Sequence, residues 1–152
     1  MDDLRLRKGT PADLEVVLQH RRAMFDDMKM GGDFEAAEPL SRDFFGRAFA
    51  EGNYHAWFFE DSSGRIMAGG GVILVEYHPS PMDPRARRPW VVNVYVDPTH
   101  RRLGLARRLM DVLIEWTRKE RYAHLLLHAS NDGRPLYESM GFAATNEMRL
   151  KL

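Results

Sequence analysis

The alternation of apolar and polar residues in the first 60 positions predicts a strand followed by two helices. Leu4 and Leu6 alternate with arginines, as in a short half-buried strand. Apolar side chains then recur at helical spacing over residues 14–25, after a Thr10-Pro11 start signal and before a Gly31-Gly32 stop. A second helix is predicted over residues 40–51.

The next stretch has the two-residue periodicity and the turns of a sheet. Residues 54–60 and 66–77 are predicted strands joined by a turn. The second of them contains Gly69-Gly70-Gly71, which indicates a bulge or a close approach of backbones. A proline-rich loop covers residues 78–88. Residues 90–96 are apolar except for Asn93, as in a strand buried on both faces.

Strands and helices alternate more regularly in the second half of the chain. An amphipathic helix is predicted over residues 103–120, a buried strand over residues 123–127, and a short helix over residues 135–140. Two short strands are expected within residues 142–150. This order favours a mixed sheet covered by helices on both faces.

Composition narrows the class of protein. The 152 residues fit a single domain, predicted to span residues 1–152. No cysteine is present, which excludes disulfides, thiolate zinc sites and a cysteine nucleophile. The sequence contains no predicted signal peptide or membrane span, so we expect a cytoplasmic protein with no membrane partner. The 22 basic and 22 acidic residues balance, which argues against a dedicated nucleic-acid binder.

The arginines are nevertheless concentrated in one part of the chain. Such a patch in a neutral protein suits a small anionic ligand, although a solvated basic surface is the alternative. The members of the patch are Arg85, Arg87, Arg88, Arg101, Arg102, Arg107 and Arg108.

The patch overlaps a segment in which a buried strand leads through a glycine-containing turn into a helix. The first amides of a helix have no intrahelical acceptor, and the helix dipole adds positive charge there. Gly104 would let an anion approach the backbone closely, and Ala106 keeps the next turn open. Neither the phosphate-binding loop of nucleotide hydrolases nor the dinucleotide fingerprint is present.

Two motifs in this half of the chain resemble those of one known family. The run Arg101-Arg102-Leu103-Gly104-Leu105-Ala106 is similar to the Gln/Arg-x-x-Gly-x-Gly/Ala loop of the GCN5-related N-acetyltransferase (GNAT) superfamily. Residues 131–142, with Pro135-Leu136-Tyr137 and Gly141-Phe142, resemble the segment that closes that family's cofactor site. Both occur in the family's order and separation.

The resemblance implies a fold, a donor substrate and a binding site. The fold would be α/β (mixed α+β), a single GNAT-like domain with a central mixed, mostly antiparallel sheet of about six or seven strands and helices on both faces. The loop amides would bind the pyrophosphate of acetyl-coenzyme A (acetyl-CoA), and the preceding strand would pair with its pantetheine arm. The implied binding residues are Val94, Tyr95, Val96, Arg101, Arg102, Leu103, Gly104, Leu105, Ala106, Arg107 and Asn131.

The implied reaction passes the acetyl group directly to an amine of a small molecule or peptide. By resemblance, Tyr137 would protonate the departing thiolate, and a phenol of pKa ~10 is able to donate a proton to a thiolate. Packing in the core is the alternative role for Tyr137, and capping of the short helix is the alternative for Asn131. Glu76 is the candidate general base, with a water chain or a merely solvated glutamate as alternatives.

Other polar residues near these motifs leave their roles open. Asn93 should have a polar partner, which could be substrate, water or protein. His128 is a weaker candidate for the site than for a structural role. The six histidines show no metal-binding spacing, so no metal is expected.

The acceptor is not identified by the sequence. An acidic, methionine-rich stretch after the first helix would suit a cationic amine, although core packing explains its methionines equally well. A homodimer is compatible with the sequence. The alternative function is a non-catalytic sensor that binds acyl-CoA, and the presence of Tyr137 favours the enzyme over it.

Overall fold

The structure, a computed structural model, describes residues 4–152. Its regular elements run in the order β1 (Arg5–Lys8), α1 (Leu14–Asp27), α2 (Phe34–Ala50), β2 (Tyr54–Glu60), β3 (Ile66–Glu76), β4 (Arg87–Val96), α3 (Leu105–Lys119) and α4 (Arg134–Ser139). Short 3-10 turns at Pro11–Asp13 and Pro98–His100 precede α1 and α3.

The predicted second helix starts earlier than expected. It was predicted to begin at residue 40, but α2 begins at Phe34. The carboxylate of Asp33 accepts a hydrogen bond from the amide of Ala36 at 2.9 Å and so caps the helix. Pro39 therefore lies inside α2, where its ring removes one backbone donor without ending the helix.

Within residues 4–152 the sheet has four strands in the order β1-β2-β3-β4, and every neighbouring pair is antiparallel. The expectation of about six or seven strands is therefore wrong for the described residues. The predicted strand at residues 123–127 forms only one parallel bridge, between Trp90 and Leu126. That bridge consists of Val91 N–H to the Leu126 carbonyl at 2.7 Å and Leu126 N–H to the Pro89 carbonyl at 3.0 Å.

The two strands predicted within residues 142–150 are also absent from the structure's sheet. The apolar side chains of Met148 and Leu150 are exposed there. Because nothing is buried against them, packing does not offset the entropy of fixing a strand.

Helices cover both faces of the sheet, because successive strand residues point to opposite sides. Ala56 and Phe58 of β2 pack with α1 and α2, whereas Trp57 and Phe59 pack with α3. The α3 face is a dense apolar core whose helical members are Leu105, Leu109, Met110 and Leu113, all nearly inaccessible to solvent. Each such side chain contributes about 1.5–3 kcal/mol by burial, which fixes α3 against the sheet.

We expect Gly71→Ala to destabilise the fold. A Cβ at residue 71 would lie 2.6 Å from Cε2 of Tyr54 and 2.7 Å from the carbonyl oxygen of His55. The carbonyl belongs to the paired neighbouring strand and cannot retreat freely, so denaturant unfolding should show a loss of about 1–3 kcal/mol.

The matched control is Gly46→Ala in α2, where the new Cβ would meet only Cδ2 of Leu14 at 3.6 Å. This substitution should stabilise the helix by about 0.5–1 kcal/mol. Changes of the same sign in the two variants would contradict the packing described here.

Candidate active site

A β-bulge in β4 is the first feature of the site. Gly69 of β3 is in register with Tyr95, and Gly71 is in register with Val92, so β4 contains one extra residue. Asn93 lies in the bulge with a φ of 59°, an uncommon conformation for a residue other than glycine. The prediction of a bulge or a close approach at the triple glycine is confirmed.

The bulge coincides with the end of pairing on the outer side of β4. The bridge at Trp90 and Leu126 lies before it. In the described part of the chain, no strand pairs with residues 93–96 on that side, which we call the free edge of β4. Val94, Tyr95 and Val96 lie on this edge and are half-buried. An extended ligand could therefore add itself to the sheet here through backbone hydrogen bonds.

The loop that follows β4 presents a series of unused amide donors. In the described structure, the amides of residues 102–107 donate to no protein acceptor, and the first bond of α3 is Arg108 N–H to the Gly104 carbonyl at 3.0 Å. These residues are Arg102, Leu103, Gly104, Leu105, Ala106 and Arg107. Six consecutive free amides at the start of a 15-residue helix form an anion-binding surface.

The conformation of the loop depends on two left-handed residues. Arg102 has a φ of 62° and Gly104 a φ of 78°. No described atom lies within 4 Å of the position that a Cβ on Gly104 would take, so the backbone is open on that side. An anion can therefore approach the backbone amides closely on this side.

Arg101 connects the loop to two neighbouring elements. Its Nε donates to the carbonyl of Val96 at 3.0 Å, and its Nη2 lies 2.5 Å from Oδ2 of Asp27 in α1. Part of its charge is therefore already compensated within the protein. Arg102 and Arg107 are exposed on the loop and on the first turn of α3.

Tyr137 of α4 is placed on the same face of the sheet as α3. Its ring packs against Phe142, with 6.0 Å between ring centroids, and against the α3 core cluster, which Val94 also contacts. Burial raises the pKa of Tyr137. Its hydroxyl has no hydrogen-bond partner among residues 4–152, and the raised pKa keeps the phenol protonated at neutral pH and able to donate its proton.

Contact between α3 and α4 joins the loop to Tyr137. Nη2 of Arg107 donates to Oγ of Ser139 at 2.5 Å. The structure thus brings together the free edge of β4, the loop amides and the helix that carries Tyr137.

Asn131 lies in the turn before α4 with its side chain exposed. It does not cap that helix: Oγ of Ser130 accepts from the amide of Gly133 at 3.1 Å, and the Ser130 carbonyl accepts from the amide of Arg134 at 3.0 Å. The capping alternative for Asn131 is therefore wrong, and binding of the pantetheine arm stays a prediction.

Glu76 is not brought close to these residues. It is exposed at the end of β3, in register with Arg87. It lies five residue steps along β3 from Gly71 beside the bulge, which corresponds to roughly 17 Å. Its role as the base stays a prediction that requires a chain of water.

His128 stacks on Trp90, with 4.7 Å between ring centroids, and its Nε2 lies 3.6 Å from Oε1 of Glu147. Among residues 4–152, no three His, Asp or Glu side chains are arranged to hold a metal ion. No helix of that part of the chain is long and apolar enough to cross a membrane.

Two residues of α1 contact β4 at the bulge and the free edge, although no motif indicated them. Nη1 of Arg21 donates to Oδ1 of Asn93 at 3.0 Å, and Nδ2 of Asn93 donates to the hydroxyl of Tyr54 at 3.2 Å. Asn93 thus has protein partners on both sides of its amide. His20 packs against the ring of Tyr95 at 4.8 Å. Arg21 could have been noticed, since it occupies a position in the apolar stripe of α1.

Comparison with known proteins identifies the family. A model of the acetyltransferase (GNAT) family matches residues 18–142. The chain belongs to this family.

Individual relatives agree with that assignment. A GCN5-related N-acetyltransferase from Ralstonia eutropha JMP134 is 34% identical with a TM-score of 0.89, over 98% of both chains. A predicted acetyltransferase from Clostridium acetobutylicum, solved with acetyl-CoA, shares the fold: its TM-score is 0.89 at 23% identity, over 98% of this chain and 95% of that one. Human N-acetyltransferase 8 is 30% identical over 66 residues, which span 41% of this chain and 29% of the human protein.

We expect His20 to make the fold sensitive to acid. Burial lowers its pKa from an ordinary 6.5 to about 4, against a smaller opposing effect of Asp97. Between these two pH values His20 binds a proton in the unfolded chain but not in the folded protein. The contribution of neutral His20 to the free energy of unfolding is therefore fully present above pH 6.5 and is lost as the pH falls toward 4. The loss attributable to His20 should reach about 3 kcal/mol.

Unfolding curves of wild type and His20→Leu from pH 7 to pH 4 measure this effect. The variant should lose less stability than wild type over that interval, whereas His128→Gln, which alters an exposed side chain, should follow wild type. Parallel curves for wild type and His20→Leu would show that the buried imidazole does not determine the acid sensitivity.

Proposed function

We propose that this chain transfers the acetyl group of acetyl-CoA directly to an amine of a small molecule or peptide. The observation that carries the proposal is the run of free amides at residues 102–107, placed beside the free edge of β4. The family assignment and the neighbour solved with acetyl-CoA support the same donor. Residues 1–152 would form one catalytic domain.

Different parts of the site would hold different parts of the donor. The amides of residues 102–107 would bind the pyrophosphate, and the guanidinium groups of Arg102 and Arg107 would add positive charge. The backbone of Val94, Tyr95 and Val96 would pair with the amides of the pantetheine arm. Arg101 would hold the end of β4 through the Val96 carbonyl, and Asn131 would contact the arm from the opposite side.

The transfer needs three contributions from the protein: a donor to the carbonyl oxygen, a proton for the sulfur, and an acceptor for the proton of the amine. The amine nitrogen forms a bond to the acetyl carbon, and the carbonyl oxygen gains negative charge that a free β4 amide near Val94 or Tyr95 would stabilise. The carbon–sulfur bond then breaks, the sulfur takes the proton of Tyr137, and the proton that the newly acetylated nitrogen loses returns to the phenolate through water. Since burial raises the pKa of Tyr137, the phenol stays protonated at neutral pH until the thiolate needs it.

The amine must lose a proton before it attacks, because an ordinary alkylamine has a pKa of about 10.4. Glu76 is proposed to accept that proton, which would reach it through a chain of water. An unchanged pH–rate profile in Glu76→Gln would leave water alone in that role.

The alternative function, a sensor that binds acyl-CoA without turnover, would need the loop but not a proton donor. Tyr137 has a hydroxyl free of protein partners in the described structure, which favours catalysis. Release of free thiol from acetyl-CoA in the presence of an amine distinguishes the two functions.

Coenzyme A should stabilise the folded protein, because it would bind the native state alone. At 100 times its dissociation constant the expected gain is about 2.7 kcal/mol, seen as a rise in Tm. Gly104→Val should abolish this rise, since a branched side chain would fill the open approach to the backbone and disfavour the φ of 78°.

The control for backbone strain is Gly64→Val. Gly64 has a φ of 83° and equally open surroundings, but it lies in the turn between β2 and β3. Gly64→Val should lose comparable stability and keep the coenzyme-dependent rise in Tm. A folded Gly104→Val protein that binds coenzyme A normally would refute the role of the loop.

Tyr137→Phe should lower the maximal rate by about 10²–10⁴-fold, the range typical of a lost general acid. The ring and its packing on Phe142 remain, so Tm and coenzyme A affinity should change little. Because the proton is needed in the transition state, kcat should fall while KM for the amine stays similar.

Tyr122→Phe serves as the matched control, since Tyr122 follows α3 and stacks with Arg85, 3.7 Å from its guanidinium carbon. It should turn over like wild type. A loss in Tyr137→Phe of less than about threefold in the chemical step would exclude the general-acid role.

A further inference from the structure

A guanidinium group lies on the inner face of α1, directed at the bulge of β4. Arg21 reaches Asn93 through Nη1 at 3.0 Å. Its guanidinium carbon lies 4.6 Å from the ring centroid of Phe25 and 5.4 Å from that of Phe45. The positive charge is therefore held between aromatic rings beside the strand on which transfer is proposed to occur.

This charge is not neutralised by the described part of the protein. No carboxylate of residues 4–152 lies within 4.0 Å of the Arg21 nitrogens, whereas the next residue, the exposed Arg22, pairs with Asp26 at 3.1 Å. The Nε of Arg21 is buried and lacks a hydrogen-bond partner among the described residues. Burial lowers the pKa of Arg21, which reflects the cost of a desolvated charge without a counter-ion.

The orientation of the guanidinium is fixed by the bulge residue. Nδ2 of Asn93 donates to the Tyr54 hydroxyl, so Oδ1 is the atom that faces Arg21. Only one of the five guanidinium hydrogens is used in this way by the described residues. The other guanidinium hydrogens donate to no described residue, and a carboxylate, planar with two oxygens, is the acceptor that matches their geometry.

A small cavity adjoins Arg21 between α1 and α2. Its volume is about 30 Å³ and its walls are mainly apolar, with Leu18, Phe25 and Phe34 among them. The other charged residues on its wall are Arg22, which is paired with Asp26, and Glu38, whose side chain is exposed. A cavity of this volume has room for about two water-sized groups, such as the two oxygens of a carboxylate, and not for a whole metabolite.

We propose that Arg21 binds a carboxylate of the acceptor, so that the acceptor is a small molecule carrying a carboxylate close to its amine, as an amino acid does. This inference rests on the proposed function and specifies its acceptor. Asn93 then acts as a positioning residue: it holds Arg21 beside the bulge, where the amine must meet the acetyl group.

The test compares acceptors that differ only in the carboxylate. Thiol release from acetyl-CoA is measured with the standard amino acids, with their carboxamides, and with dipeptides whose carboxylate lies one residue further from the amine. Wild type should acetylate at least one amino acid with a kcat/KM about tenfold or more above that of its carboxamide. Dipeptides that begin with that amino acid should have a kcat/KM no higher than that of the carboxamide.

Arg21→Gln should raise KM for the preferred amino acid about 10–100-fold, the range of a hydrogen bond to a charged group, and leave the carboxamide within about threefold. Arg21→Lys keeps the positive charge but not the planar guanidinium group, so its KM for the preferred amino acid should lie between those of wild type and Arg21→Gln. Arg47→Gln removes an equal charge from the exposed side of α2 and should match wild type.

Each outcome decides the proposal. If carboxamides or dipeptides are used as well as the amino acids, or if no amino acid is used, Arg21 does not bind an acceptor carboxylate. The proposed function would still stand if other amines release thiol. If coenzyme A fails to raise Tm, the proposed function itself fails. Should Arg21→Gln not fold, the comparison of acceptors on wild type and on Arg21→Lys still gives the answer.

Discussion

The extra residue in β4 is the constraint on which the rest of the site depends. A regular antiparallel strand would continue its register past residue 93 and would offer residues 123–127 a straight edge to pair with. The bulge instead limits that pairing to the bridge at Trp90 and Leu126. Backbone groups of β4 beyond the bridge are left without a strand partner on that side in the described structure. The bulge is tolerated because Gly70 carries no side chain where Val94 of β4 approaches β3: a Cβ there would lie 3.2 Å from Cγ2 of Val94.

The same residue connects the two faces of the sheet. Asn93 adopts a left-handed conformation and directs its amide toward α1, where Arg21 and Tyr54 bind it. On the opposite face, Val94 packs on the α3 core together with Tyr137. The proposed donor site and the proposed acceptor site thus meet at one irregular position. A conformational cost of this kind persists when the surroundings fix it, and here two hydrogen bonds do so.

Electrostatics at the site come from the backbone as much as from side chains. The chain has no net formal charge, yet six consecutive amides and the start of α3 create a local positive potential. Arg101 binds Asp27 and the Val96 carbonyl, so part of the charge of the arginine patch is compensated within the protein. Arg21, in contrast, is desolvated and lacks a carboxylate partner among residues 4–152.

Local information was sufficient for much of this protein. The glycines of β3, the turn at Gly104 and the long helix after β4 could be predicted because each depends on neighbouring residues: a start signal, a period, a residue without a side chain. The binding role of residues 101–106 and the role of Tyr137 rest instead on the resemblance to the motifs of the family. Strand pairing at residues 123–127 and 142–150 could not, since apolar alternation does not reveal whether a partner edge is straight or a face is covered. Nor could the sequence show that His20 and Arg21 meet Tyr95 and Asn93, which lie more than 70 positions away. A buried contact of that kind is decided only when the helix packs on the sheet, because burial and the loss of water are properties of the folded chain.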